Sequence, residues 1–233
     1  MDPANNKPSI FISSTIFDFA DMRSSLKYYL ERLGYTVNMS EFNDFQHDLD
    51  KNSYDACFKT VENSDYFILL IGSRAGGLYS KASNATITQM EYRAAYEKAK
   101  QGKTRILAFV RKDVWTIIEE RGDLARHLKG QLLEEKEITE VAADKIPKLS
   151  SKFATDAGLI SAFIAEVCRK DEMKAAAKGE GELPVANWVH QFATFGDIVA
   201  CLRVQFNIGD VLERKKVIDG LADELLSNLA TML

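Results

Sequence analysis

Residues 66–71, Tyr-Phe-Ile-Leu-Leu-Ile, form an apolar run with no polar residue at alternate positions. Such a strand has no face for water, so it needs covering on both sides, as in a parallel sheet between two helical layers. Two further short runs repeat the signal, at residues 10–12 and 106–110. Between them lie stretches of helical period: Phe19, Met22, Leu26, Leu30 and Leu33, then Tyr54, Cys57, Phe58 and Val61. Gly34 supplies the first helix stop and Ser53 can cap the second helix. A second strand is expected over residues 35–40, followed by a polar, acidic loop over 41–51. A further helix is expected over 86–100, reached through a glycine-rich loop at 72–83.

Alternating strands and helices with short connections imply right-handed crossovers, and hence an α/β fold with a flavodoxin-like sheet of about five strands. The alternation breaks after Arg111. Trp115, Ile118, Leu124, Leu128 and Leu132, then Ile160, Phe163, Ile164 and Val167, carry helical patterning, so residues 112–184 read as a helical insertion. Residues 179–184 have linker composition. Strand and helix patterning resumes at 188–194 and 197–204. The expected organisation is an α/β domain over residues 1–111 and 185–206, the insertion, and a helical extension over 207–233. In that extension Ile218, Leu221, Leu225, Leu229 and Met232 form an amphipathic stripe, which suggests self-association or docking onto the chain's own surface.

Composition excludes several classes. A net charge of −4 lacks the basic excess that phosphate-backbone binding requires, so no nucleic-acid partner is expected. No apolar run is long enough to span a bilayer, and the polar start carries no signal sequence, so a cytoplasmic protein without membrane attachment is expected. Cys57, Cys168 and Cys201 sit singly, without metal-ligand spacing or an even count, and read as reduced thiols. His47, His127 and His190 are likewise scattered, so no metal site and no cofactor is expected.

In open parallel sheets ligands bind beyond the carboxyl ends of the strands, where the strand order reverses. For the order 2-1-3-4-5 that crevice lies between the first and third strands, whose ends are Ser13-Ser14-Thr15 and Gly72-Ser73-Arg74. The first group offers hydroxyls at a helix entrance, and the second offers glycine flexibility and an arginine suited to phosphate. They also suit plainer tasks, helix capping for the hydroxyls and a solvated charge for Arg74. Residues 72–77 match neither G-x-G-x-x-G nor the P-loop pattern. Glu91, early in the helix after the glycine-rich loop, aims a carboxylate at the crevice. Thr88-Gln89-Met90-Glu91 also fits a capping box with Glu91 as its reciprocal partner. Phe11 and Tyr92 fit either ligand contacts or core aromatics.

Three blocks together resemble a known family: Ile10-Phe11-Ile12-Ser13-Ser14-Thr15 with Phe17 and Asp18 following, residues 64–74, and Thr86-Ile87-Thr88-Gln89-Met90-Glu91-Tyr92. They are similar to a TIR-like family, widespread in bacteria, that carried only a domain-of-unknown-function label. The likeness covers residues 7–111, with a weaker echo at 188–204. Enzymatic TIR domains cleave the nicotinamide–ribose bond of NAD, and many bacterial members do so in defence against phage. The resemblance implies an NAD glycohydrolase or ADP-ribosyl cyclase with Glu91 as its catalytic glutamate and NAD as substrate. With NAD as ligand, the residues at and beside the crevice, Phe11, Ser13, Ser14, Thr15, Gly72, Ser73, Arg74 and Tyr92, are the expected substrate contacts, and self-association or a defence-system partner is expected. The tryptophan that often precedes that glutamate in NAD-cleaving members is absent from residues 86–90. Two other readings stay open: a non-catalytic TIR-like module that binds a partner, and a nucleoside deoxyribosyltransferase-like enzyme using the glutamate as nucleophile.

Overall fold

The computed structural model describes residues 7–42, 44, 45, 53–80, 85–135, 143–207, 220 and 221. Five parallel strands form the main sheet: β1 (Ser9–Ser14), β2 (Thr36–Asn38), β3 (Tyr66–Ile71), β6 (Arg105–Arg111) and β7 (Val189–Phe192). Their order is β2-β1-β3-β6-β7, the flavodoxin-like order. Between β3 and the next helix the glycine-rich loop folds into a small antiparallel hairpin, β4 (Leu78–Ser80) with β5 (Ala85–Thr86).

Side-chain alternation splits the core in two. Phe11, Phe67, Leu69, Ile71, Ala108 and Val110 point to one face. Ile10, Ile12, Ile68, Leu70, Leu107 and Phe109 point to the other. Every residue from Phe67 to Ile71 is at most 2% exposed, which is why the run needs no polar alternation. The second face is covered by α1 (Ile16–Arg32) through Phe19, Leu26 and Leu30, and by α7 (Phe195–Gln205) through Ile198 and Leu202.

The first face carries α2 (Ser53–Glu62), α3 (Ile87–Lys100), α4 (Lys112–Glu135) and α5 (Ala157–Val167). Val114 and Ile118 of α4, and Ile160, Phe163, Ile164 and Val167 of α5, join the same buried cluster as the sheet residues. The stretch read as an insertion thus supplies part of the layer over the sheet, followed by the short helix α6 (Lys170–Ala177). Of the C-terminal stripe, Leu221 is 55% exposed, while Ile218, Leu225, Leu229 and Met232 lie outside the described residues. Among the described residues no helix is long and apolar enough to cross a membrane.

Candidate functional site

The last residues of β1 alternate across the sheet, and this places two hydroxyls on opposite sides. Ser13 shares Phe11's face and meets α3, where its hydroxyl donates to Glu91 Oε2 at 2.5 Å. Ser14 faces α1 and accepts a hydrogen bond from Arg23 Nη1 at 2.7 Å. Arg23 also donates Nη2 to Glu41 Oε2 at 2.6 Å and Nε to Glu41 Oε1, a bidentate pair. Arg23 is 2% exposed and Glu91 6%. A chain of polar contacts thus runs Glu41–Arg23–Ser14 along one side of the strand end, with Ser13–Glu91 on the other.

A cavity of about 400 Å³ opens over these groups, within the range of small-molecule sites. Ser13, Ser14, Thr15, Arg23 and Glu91 line it, and Gly76 and Gly77 are part of its wall. Gly76 has φ +80°, and a Cβ there would come within 3.1 Å of Thr15 Cγ2. Its left-handed conformation favours glycine, and a Cβ would press on Thr15 as well. The loop carrying it is pinned at two points. Asp18 Oδ2 accepts the Arg74 amide at 3.0 Å, and Asp156, which precedes α5, accepts the Ala75 amide at 2.9 Å.

Burial pushes the Glu91 carboxyl up to about 7, opposed by the Ser13 hydrogen bond and the Arg23 charge and reinforced by Glu41. The carboxyl is therefore poised to titrate near neutrality, a setting suited to acid–base or charge-stabilising work. Cys57 lines the same cavity, but burial and the nearby Glu91 push its thiol up to about 11. It is a protonated thiol at neutral pH and no nucleophile.

Glu91 is not a cap. The capping box sits two residues earlier: Thr86 Oγ1 accepts the Gln89 amide at 3.2 Å, and Gln89 Oε1 accepts the Thr86 amide at 2.9 Å. The N-cap is Thr86, so the Thr88–Glu91 alternative falls and the carboxylate is left to face the cavity.

The expected site residues divide. Ser13, Ser14, Thr15 and Glu91 gather at the cavity, as does Phe11, which lines it while stacked on Phe67 with centroids 5.9 Å apart. Gly72, Ser73, Arg74 and Tyr92 are not among its lining residues. A Cβ on Gly72 would meet Asp18 Oδ2 and the Phe19 ring, so this glycine serves packing against α1. Ser73 donates to Asp18 at 3.4 Å, and Arg74 lies near that carboxylate and over the Phe17 ring, 5.9 Å from its centroid. Tyr92 is fully buried against Tyr96 and Phe163, on a different side of α3. It is a core aromatic.

Arg23 escapes a sequence reading that follows only apolar spacing, although it lies four residues after Phe19 on the buried stripe of α1. A charge inside such a stripe needs a buried partner, and that was the available signal. Glu41 falls in a loop whose acidity carried no positional information. Among the described residues no group of three His, Cys, Asp or Glu side chains could hold a metal ion. His190 packs at a tilt against Phe109 with centroids 5.5 Å apart, His127 lies on α4, and His47 lies outside the described residues.

The family model described as "Domain of unknown function (DUF4062)" matches residues 9–166. The chain belongs to that family, and the matched span runs from β1 through nearly all of α5. No curated protein matches the chain.

Proposed function

We propose that this member of the DUF4062 family is an N-glycosidase that cleaves the nicotinamide–ribose bond of NAD, with Glu91 as its catalytic carboxylate. The observation that carries the reading is the placement of Glu91: a buried carboxyl, released from helix capping, held by Ser13 at the switch-point cavity. The TIR-like resemblance of the β1, β3 and α3 blocks points to the same residue and to a role in bacterial antiphage defence.

One carboxylate suffices for this chemistry. Glycosidases acting on sugar ethers need a second carboxyl to protonate an alkoxide leaving group. In NAD the C1′–N bond breaks with its electron pair returning to a pyridinium nitrogen, so nicotinamide leaves as a neutral molecule. The positive charge passes to the ribose as an oxocarbenium ion. An ionised Glu91 stabilises that charge and accepts a hydrogen bond from a ribose hydroxyl. Attack of water at C1′ with loss of a proton gives ADP-ribose, whereas attack by a nucleophilic atom of the adenine ring gives a cyclised product. Ser13 orients the carboxylate, and Arg23 favours its charge, an effect that Glu41 offsets.

The test is to incubate the protein separately with NAD and with deoxynucleosides and to follow free base by chromatography. Nicotinamide release from NAD alone supports the reading. Base exchange on deoxynucleosides would instead assign Glu91 the role of a nucleophile on deoxyribose.

A further inference from the structure

Phe17 is the most exposed large apolar residue among those described, at 88%, and it lines the cavity that holds Glu91. The backbone puts it there. The helical path of α1 is interrupted at Phe19 (φ −137°, ψ 16°), whose ring is buried against Gly72 and Phe192. With Phe19 turned into the core, Phe17 on the preceding turn stands out at the mouth of the cavity. One face of this exposed ring carries Arg74, 5.9 Å from its centroid, and the ring itself is part of the cavity's lining.

Tyr54, on the first turn of α2, lines the same cavity and is 38% exposed. Its ring is held edge-to-face by Tyr79 of β4, with centroids 5.6 Å apart, and Tyr79 in turn meets Phe58 at 5.6 Å. The ring is thus braced from the hairpin side. The wall also includes Gly76 and Gly77, whose missing side chains let a flat group approach the backbone. Below lie the hydroxyls of Ser13 and Ser14 with Glu91. The lining thus combines the exposed aromatics Phe17 and Tyr54 with the buried Ser13, Arg23 and Glu91 and the buried apolar Phe11, Ile12 and Cys57.

We infer that Phe17 and Tyr54 bind the planar heteroaromatic ring of the ligand by stacking, so that the site selects a sugar carrying an attached base over a bare sugar phosphate. This rests on the proposed N-glycosidase reading for the position of the sugar at Glu91, and names the residues that recognise the base. Arg74 lies over the Phe17 ring and acts through it as a positioning residue.

The experiment measures equilibrium binding by titration calorimetry to the full chain and to its Glu91→Gln form, with NAD, nicotinamide mononucleotide and ribose 5-phosphate as probes. The ring-bearing probes are expected to bind at least tenfold more tightly than ribose 5-phosphate. Phe17→Ala and Tyr54→Ala are each expected to weaken the ring-bearing probes roughly 5- to 150-fold, the range seen for loss of a base–aromatic stack, without changing ribose 5-phosphate binding. Phe17→Leu, which keeps apolar bulk and loses the ring face, should fall with Phe17→Ala. Phe17 is solvent-facing, so thermal melts of its variants should match the parent, whereas Tyr54→Ala also loses the Tyr79 contact and is compared only where a melt shows it folded. Equal binding of all three probes, no binding of the ring-bearing probes, or unchanged affinity in the alanine variants overturns the inference. NAD cleavage by a parent whose alanine variants bind unchanged leaves the N-glycosidase reading standing while removing the stacking role. Ring binding that depends on Phe17 in a parent that cleaves nothing does the reverse.

Discussion

The Ser13 hydroxyl and the Glu91 carboxylate meet at 2.5 Å, joining the carboxyl end of β1 to the second turn of α3. This one contact ties the strand that ends at the cavity to the helix that carries its carboxyl group. It also favours the ionised form of a group that burial otherwise drives toward the neutral one.

Removing that donor should change the titration of Glu91 before it changes anything else. In Ser13→Ala the midpoint rises further above about 7, because the hydrogen bond that favoured the charge is lost while burial remains. The acid limb of the pH–rate profile for nicotinamide release should move to higher pH. An unmoved limb in an active variant would show that another group controls the profile.

Glu41 provides the opposite shift. Its charge holds the Glu91 midpoint up while pairing with Arg23. Glu41→Gln keeps an acceptor for the guanidinium and removes the negative charge, leaving Arg23 to favour the Glu91 carboxylate. The acid limb should move to lower pH, opposite in sign to Ser13→Ala. Shifts of the same sign in both variants would contradict this electrostatic account.

Glu91 also makes folding depend on pH in a definite direction. Its midpoint rises from 4.5 toward about 7 on folding, so between these values the folded state holds the proton that the unfolded chain has released. The stability associated with Glu91 is fully present below pH 4.5 and is lost as pH rises through about 7. At about 1.4 kcal/mol per pH unit the loss is roughly 3 kcal/mol. Glu91→Gln does not titrate, so its melting temperature relative to the parent should climb from pH 5 to pH 8. A constant difference across that range would contradict a buried, proton-holding Glu91.

Gly76 tests the loop. Gly76→Ala places a Cβ at φ +80° and 3.1 Å from Thr15 Cγ2, and should destabilise the fold by roughly 1–2 kcal/mol, lowering the melting temperature by about 2–8 °C. Gly77→Ala, whose Cβ would meet only Ile87 Cδ1 at 3.5 Å, should melt close to the parent. Calorimetric scans of the two variants make the comparison, and equal losses would remove the special role of position 76.

Much of the fold was readable because it follows from burial alone. The unbroken apolar run at Tyr66–Ile71 required two covered faces, and the alternation of periods required a parallel sheet between two helical layers, whereas the strand order leaves no mark in the alternation. The hairpin Leu78–Ser80 with Ala85–Thr86 was not readable, since two-residue pairing leaves no periodic trace inside a glycine-rich loop. At the site, Ser13, Ser14, Thr15 and Glu91 were found from position relative to the strand ends. Gly72, Ser73 and Arg74 were placed by the same rule, but Ser73 and Arg74 contact Asp18 on α1, a tertiary partner that spacing does not reveal. Tyr92 follows Glu91 in sequence, yet a turn of about 100° per residue sends it into the core.

The central claim is that the negative charge of Glu91 performs the chemistry. The direct measurement is nicotinamide released from NAD by the parent and by Glu91→Gln at pH 8, where the parent carboxyl is mostly ionised. Because Thr86 and Gln89 do the capping, the Gln variant should fold, which a melt confirms. The account predicts release by the parent and a loss of roughly 10²-fold or more in the variant, the scale for removing a preorganised charge-stabilising group. A folded Glu91→Gln protein that releases nicotinamide at the parent rate, or a parent that releases none, would contradict it.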